Sequence, residues 1–190
     1  MDPLPDEELF ARLLQGDGEA LDTLFARYAP PLYGFLWRLT GDQALAEDLL
    51  QEVFIRLVNY AGKPPLYFRA WLYTVARNLA YSSLRAHGRE QAHRAYSGAD
   101  SDEALKDTTQ NLPEQVILSR DNEERIRQSL EQLPDEQREV VLLRFYQGLS
   151  LEEIAAVVEV SLGTVKSRLY RALRLLRGML LREEMKENER

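Results

Sequence analysis

Polar and cationic side chains recur on one side of a single predicted helix near the C-terminal end of the chain. At roughly 100° per residue, the apolar residues of this stretch share one sector: Leu162, Val165, Leu169, Ala172 and Leu176. The opposite sector carries Thr164, Ser167, Arg171 and Arg174, flanked by Lys166, Arg168, Tyr170 and Arg177. Small polar side chains near a helix start can hydrogen-bond base edges, and cations further along can neutralise phosphates. The pattern therefore favours nucleic-acid binding over catalysis.

The elements before this helix predict how it is held. Ser150 and Glu153 have the spacing of a capping box, which indicates a helix start. A short turn at 159–161 follows, without the Gly often found in such turns, and Ser161 can cap the second helix. Two helices joined in this way predict a helix-turn-helix that reads a DNA major groove. The alternative is an ordinary amphipathic hairpin with a solvated basic face.

A second basic stretch, at 66–90, interleaves cations with aromatic rings. Its predicted apolar stripe is Phe68, Leu72, Val75, Leu79 and Ser83. Outside that stripe lie the cations Arg69, Arg77, Arg85 and Arg89 and the rings of Trp71, Tyr73 and Tyr81. Exposed rings among cations suit unpaired bases, because an aromatic ring stacks on any base that leaves the duplex. The alternative is that Trp71 and Tyr73 pack on the preceding helices.

Helical periodicity dominates the whole chain, so we expect an all-α fold of two small helical domains. Helices are predicted at 5–15, 19–29, 32–39 and 42–58, with a break at Pro30 and Pro31. After a break at 59–67, a longer helix runs to about residue 87. Further helices are predicted at 113–132 and from Pro134 to Gly148. The expected domains are 1–95 and 113–182, joined by a flexible acidic linker at 96–112 and followed by a charged tail at 183–190.

Charge is distributed unevenly along the 190 residues. The formal net charge is −7, yet the segments 61–96 and 140–182 carry +5 and +4. Local basic faces can bind phosphate while the rest of the molecule repels it. We therefore expect DNA to bind weakly to the chain alone, and well when a partner holds the two faces in place.

Several function classes lack support in the sequence. The chain has no Cys, His87 and His93 lack metal-ligand spacing, and no Gly-rich phosphate loop is present. No apolar stretch reaches transmembrane length and the N-terminus does not resemble a signal peptide. We expect a cytoplasmic protein that is not an enzyme and needs no metal or cofactor.

Four stretches, in order, closely resemble the two named regions of extracytoplasmic-function sigma factors. They are "ALDTLFARYAPPLYGFLWRLTGD", "AEDLLQEVFIRL", "FRAWLYTVARNLAYSSLR" and "LPDEQREVVLLRFYQGLSLEEIAAVVEVSLGTVKSRLYRAL". The resemblance covers nearly the whole chain except the linker and both tails. It implies a chain that binds core RNA polymerase and directs it to promoters.

The resemblance also implies roles for particular residues. The helix at 46–58 would dock on the polymerase clamp through Asp48, Gln51, Glu52, Phe54 and Arg56. The loop at 59–67, with Lys63, would hold a flipped base of the minus-ten promoter element. The next helix would bind the separated strand through Arg69, Trp71, Tyr73, Arg77, Asn78, Tyr81 and Arg85. The helix-turn-helix would read the minus-thirty-five element through Thr164, Lys166, Ser167, Arg168, Arg171 and Arg174. An anti-sigma protein is a plausible further partner.

Two other functions are compatible with part of the sequence. A response-regulator transcription factor can carry a similar helix-turn-helix, but it needs a receiver domain of alternating strands and helices upstream. A sigma-like mimic would keep the fold only to bind an anti-sigma protein. Run-off transcription with core polymerase separates the mimic from a functional sigma factor.

Overall fold

The computed structural model describes residues 4–86 and 120–188, without the side chains of 120–124 and 183–188. Those two segments contain helices and no strand, as the sequence predicted. The first four are α1 (Asp6–Leu13), α2 (Gly18–Thr40), α3 (Gln43–Val58) and α4 (Phe68–Ala86). The others are α5 (Arg120–Glu131), α6 (Asp135–Val141), α7 (Leu151–Val158) and α8 (Leu162–Asn188), with a π-helical turn at Leu142–Tyr146. The predicted linker at 96–112 lies outside the described residues.

The predicted break at Pro30 and Pro31 is wrong, because both prolines lie inside one helix of 23 residues, α2. Proline removes a backbone hydrogen bond and usually interrupts a helix. Here the buried face of α2 continues through the proline pair, from Leu24 and Tyr28 to Leu32 and Phe35. Pro30 itself is exposed, so water can reach the carbonyl groups that lose a donor. Burial along the whole of this face therefore keeps the helix continuous despite the tendency of proline to interrupt it.

Helices α1 to α4 pack together around an aromatic cluster. The Phe10 ring lies 5.0 Å from the Phe68 ring and 5.5 Å from the rings of Tyr60 and Trp71. Asp17 caps α2 by accepting hydrogen bonds from two backbone amides of the first turn, and Asp42 caps α3 by accepting one from the Leu45 amide. Gly41 ends α2 in the left-handed conformation. These contacts fix the direction in which α3 and α4 present their outer faces.

The C-terminal helices follow the predicted order, with one local difference. The helix that begins after Pro134 becomes a π-helical turn before Gly148, whose φ of 64° ends it. Ser150 and Glu153 form the predicted capping box at the start of α7. Ser161 caps α8 by accepting a hydrogen bond from the Thr164 amide at 3.1 Å. The helix-turn-helix geometry is therefore present.

The turn between α7 and α8 has an unusual residue at its centre. Glu159 adopts the left-handed conformation, with a φ of 56°, which L-residues other than Gly seldom take. Its amide donates to the Ala155 carbonyl, so it closes α7 as a Gly would. The missing turn glycine therefore leaves the turn geometry intact.

The N-terminal and C-terminal helices also contact each other. Helix α7 packs on α4, and the π-helical turn and α6 pack on α2. This contact places the outer face of α4 against the C-terminal helices. Within residues 4–86 and 120–188, no helix is both long enough and apolar enough to cross a membrane.

Candidate nucleic-acid and polymerase interfaces

The second helix of the helix-turn-helix exposes a narrow cationic stripe. Helix α8 buries Val165, Leu169 and Ala172 against the preceding helices. The exposed side chains recur every three or four residues, so they share one face: Lys166, Tyr170, Arg174 and Arg177. Because this face points away from α6 and α7, it can enter a groove of duplex DNA.

The other predicted residues of α8 are less exposed. Thr164, Ser167 and Arg171 are half-buried. The Thr164 hydroxyl lies 2.9 Å from the Ser161 hydroxyl, and the Ser167 hydroxyl donates to the Thr164 carbonyl at 3.0 Å. These hydroxyl groups stabilise the start of α8.

Arg168 does not project outward as the helical pattern predicted. Its guanidinium forms an ion pair with Glu136 of α6, with an N–O distance of 2.7 Å, and its side chain is only 18% exposed. The sequence could not show this, because the partner lies on a different helix. Tyr170, in contrast, lies at the centre of the exposed stripe, although the sequence analysis placed it only beside the polar sector. Its helical spacing from Lys166 and Arg174 was the available signal.

The outer face of α4 brings together several residues predicted to bind the minus-ten strand. The Arg77 guanidinium donates to the Glu139 carboxylate and lies 5.0 Å from the centre of the Tyr81 ring. Tyr81 also donates to Glu139, at 3.4 Å. Arg69 donates to the Gln147 carbonyl at 3.0 Å. Three of the predicted residues therefore contact the C-terminal helices.

Trp71 and Tyr73 follow the alternative interpretation, in which both rings pack on the preceding helices, and not the one in which both rings stand exposed. The Trp71 ring packs edge-on against Tyr60, with ring centres 4.9 Å apart. Tyr73 is buried, with its ring against Phe35 and its hydroxyl donating to the Gln147 side chain at 2.5 Å. The apolar face of α4 is wider than a single stripe, since it must contact both α2 and the C-terminal helices. Burial accordingly raises the pKa of Tyr73.

The remaining candidates of this region are exposed. Asn78 and Arg85 lie on the solvent side of α4, and Lys63 lies in the loop before it. That loop also exposes Leu66, at 80%, and Tyr67. Two large apolar side chains next to each other in solvent suggest a contact surface, which was not predicted from the sequence. Their position in a Pro-rich loop, outside any apolar stripe, could have indicated that they are exposed.

Helix α3 exposes one face along most of its length. Of the predicted polymerase-binding residues, Asp48, Gln51 and Arg56 are exposed, and Glu52 pairs with Arg56 at 2.9 Å. The same face continues into Ile55 and Val58, whose exposure of 53% and 51% is high for such residues. Neither was predicted, although both lie outside the apolar stripe that the helical spacing of α3 predicts, Leu45, Leu49, Val53 and Leu57.

Phe54 is buried, not exposed as a docking residue would be. Its side chain is 8% exposed, and its ring lies 4.8 Å from that of Phe25 on α2. Phe54 therefore supports the packing of α3 on α2, and Phe25, which is half-exposed, covers it from outside.

Glu139 is the most buried carboxylate at these surfaces. Desolvation raises its pKa above the ordinary value, while the neighbouring Arg77 acts in the opposite direction. The pKa of Tyr81 is raised as well, chiefly by burial and then by the Glu139 charge. Among the described side chains, no group of three His, Cys, Asp or Glu residues has the arrangement of a metal site.

Comparisons with known proteins agree with this arrangement of two helical units. The family model for Sigma-70 region 2 matches residues 24–90, and that for Sigma-70, region 4 matches residues 123–176. The RNA polymerase sigma-H factor of Pseudomonas aeruginosa is 36% identical over 176 residues, covering 88% of this chain and 89% of that protein. The ECF RNA polymerase sigma factor SigX of Bacillus subtilis is 33% identical over 177 residues, covering 90% of each chain.

A solved structure gives the same result. The sigma factor RpoE, in complex with the anti-sigma factor NepR from Bartonella quintana, has a TM-score of 0.58 and 28% identity to this chain. The alignment covers 84% of this chain and 95% of that one. Two sigma regions in order, with full-length relatives at this identity, show that the chain belongs to the extracytoplasmic-function sigma factors.

Proposed function

We propose that this sigma factor binds core RNA polymerase and starts transcription at promoters that it reads with two separate surfaces. Region 2, within 1–95, would bind the melted minus-ten element, and region 4, within 113–182, would bind the minus-thirty-five element. The segment 96–112 would connect them. The observation that carries the proposal is the exposed stripe of Lys166, Tyr170, Arg174 and Arg177 on the second helix of a helix-turn-helix.

The exposed face of α3 is the proposed contact with core polymerase. Phe25, Ile55 and Val58 are exposed apolar residues, and Asp48 and Gln51 extend the same face with polar groups. An apolar centre with a polar rim is the usual anatomy of a protein interface. Since polymerase works in the bacterial cytoplasm, we place the protein there.

Opening of the strands would need no catalysis by this chain. Unpaired bases captured on aromatic and apolar side chains offset part of the cost of separating base pairs. Leu66 and Tyr67 are exposed in the loop before α4 and, together with Lys63, would receive an extruded base. No cofactor is required for such a step.

Run-off transcription tests the proposal. Core polymerase is mixed with the protein and with promoters selected from a random library by the reconstituted holoenzyme. We expect RNA chains that begin at defined sites only when this protein is present. The same start sites without it, or no binding to core polymerase, would overturn the proposal.

A second candidate function has one supporting observation. The RpoE structure contains an anti-sigma factor, so an anti-sigma protein is a reasonable partner for this chain too. A mimic would bind such a partner without starting transcription. The receiver-domain alternative has no comparable support, since α1 to α4 form the described N-terminal part and Sigma-70 region 2 matches it.

Two arginines of α8 provide a matched test of the region 4 surface. We expect Arg174→Ala to weaken promoter binding by the holoenzyme about tenfold and to reduce the salt slope by about one, because one phosphate contact is lost. Arg168→Ala should leave the salt slope unchanged, because the Arg168 side chain is only 18% exposed and pairs with Glu136 of α6. Filter binding over a range of salt concentrations measures both values. Equal slopes for the two variants would contradict the placement of the stripe.

A further inference from the structure

The α4 face proposed to bind the minus-ten strand is covered by the C-terminal helices. Both oxygens of the Glu139 carboxylate are used by α4, one by Arg77 Nε and the other by the Tyr81 hydroxyl. The Glu139 side chain is only 1% exposed as a result. An arginine binds carboxylate and phosphate with the same donor geometry. Glu139 therefore lies where a DNA phosphate could bind Arg77.

The contact between α4 and the C-terminal part of the chain is called the seam below. Gln147 makes a second set of contacts in the seam. Its side-chain oxygen accepts from Tyr73 at 2.5 Å and its backbone carbonyl accepts from Arg69 at 3.0 Å. Glu153 also lies 3.9 Å from Arg69 Nε. Four of the eight residues proposed for the minus-ten surface thus contact region 4: Arg69, Tyr73, Arg77 and Tyr81.

We infer that the free protein adopts a closed form in which region 4 occupies the single-strand-binding face of region 2, with Glu139 competing with DNA phosphate for Arg77. The inference rests on the function proposed for α4. It gives a physical cause for weak DNA binding by the free chain that is additional to the distance between its two basic faces. Binding to core polymerase, on the separate α3 face, would then be compatible with opening.

Polar contacts contribute to the seam, and they can be replaced by water when the two regions separate. They include an ion pair, hydrogen bonds and the Arg38 guanidinium 4.5 Å from the centre of the Tyr146 ring. Apolar side chains contribute as well, because the buried residues of both regions belong to one hydrophobic cluster. Burial of the Glu139 carboxylate opposes closure, because desolvation disfavours its charged form. A closed population lowers the apparent DNA affinity by the fraction of molecules that are open.

Distance measurements on the full chain test closure directly. The chain has no Cys, so Ala44→Cys on α3 and Glu152→Cys on α7, both exposed positions, accept a pair of fluorescent dyes. Glu139→Arg places two cations in the seam, and we expect the distance between the dyes to increase. The affinity for a labelled thymidine oligonucleotide should rise at least about tenfold as the open fraction grows.

The matched control is Glu131→Arg, which makes the same charge change at an exposed position of α5 that pairs only within its helix in the described contacts. It should keep the wild-type distance between the dyes and the wild-type affinity. The double variant Arg77→Glu with Glu139→Arg restores an opposite-charge pair and should restore the wild-type distance. If Glu139→Arg proves unfolded by circular dichroism, Gln147→Ala provides the same test, since it removes the Tyr73 contact.

The outcomes distinguish a failure of the closed form from a failure of the proposed sigma function. Equal distances and equal oligonucleotide affinities for Glu139→Arg and Glu131→Arg would overturn closure. A longer distance without tighter oligonucleotide binding would also overturn it, because nothing would then be masked. A longer distance with tighter binding but no run-off transcript would support closure and contradict the proposed sigma function.

Discussion

Ile55→Glu is expected to reduce the affinity for core RNA polymerase by about 100-fold, which corresponds to about 2.7 kcal/mol. Ile55 is an exposed apolar residue at the centre of the proposed α3 surface. A carboxylate there would be desolvated without a partner when polymerase binds, and such a charge is costly at the centre of an interface. Run-off transcription should fall in parallel. A pull-down with core polymerase and its concentration dependence measure the effect.

The control for this variant is Leu4→Glu, which adds the same charge at another exposed apolar residue, distant in sequence from α3. It should bind polymerase as the wild type does. Both variants should unfold at the wild-type urea concentration, because exposed substitutions seldom change stability by more than about 0.5 kcal/mol. Normal polymerase binding by a folded Ile55→Glu protein would show that α3 does not provide the docking face.

The sequence predicted the fold class and most helix starts because those features depend on local chemistry. The capping box at Ser150 and Glu153 is an example, since both partners lie within one turn. The proline pair in α2 misled the prediction because the helix there is stabilised by tertiary burial, which a local rule cannot register. Helix existence was therefore more predictable than helix length.

The sequence predicted a candidate surface only where the exposure of its side chains depends on their own helix. It could not predict contacts with other helices. The periodicity of α8 correctly identified its buried residues Val165, Leu169 and Ala172. It placed the half-buried Thr164, Ser167 and Arg171 at the centre of the outer face, and it could not show that Arg168 pairs with Glu136 on another helix. For α4 the same limitation was larger, because the second face of the helix is buried by region 4. Contacts such as Arg77 with Glu139 join residues 62 positions apart, and no local pattern encodes them.

Because Phe54 is buried, a substitution there tests the stability of the fold as well as polymerase binding. We expect Phe54→Ala to lower the free energy of unfolding by about 3 kcal/mol, since removing a buried Phe ring typically costs 3–5 kcal/mol and leaves a cavity. The ring is 8% exposed and packs on Phe25, so α3 would lose part of its attachment to α2. Urea denaturation followed by circular dichroism measures the change.

Phe25→Ala is the matched comparison, because it removes the same ring chemistry from the half-exposed partner. Its cost should be smaller, about 1 kcal/mol, because less apolar surface leaves the interior. Loss of polymerase binding by Phe54→Ala would then follow from unfolding and should be relieved at low temperature or by stabilising solutes. Wild-type stability combined with lost polymerase binding would instead mean that the Phe54 ring itself contacts polymerase, as the family resemblance implies, and that α3 must move away from Phe25 to expose it.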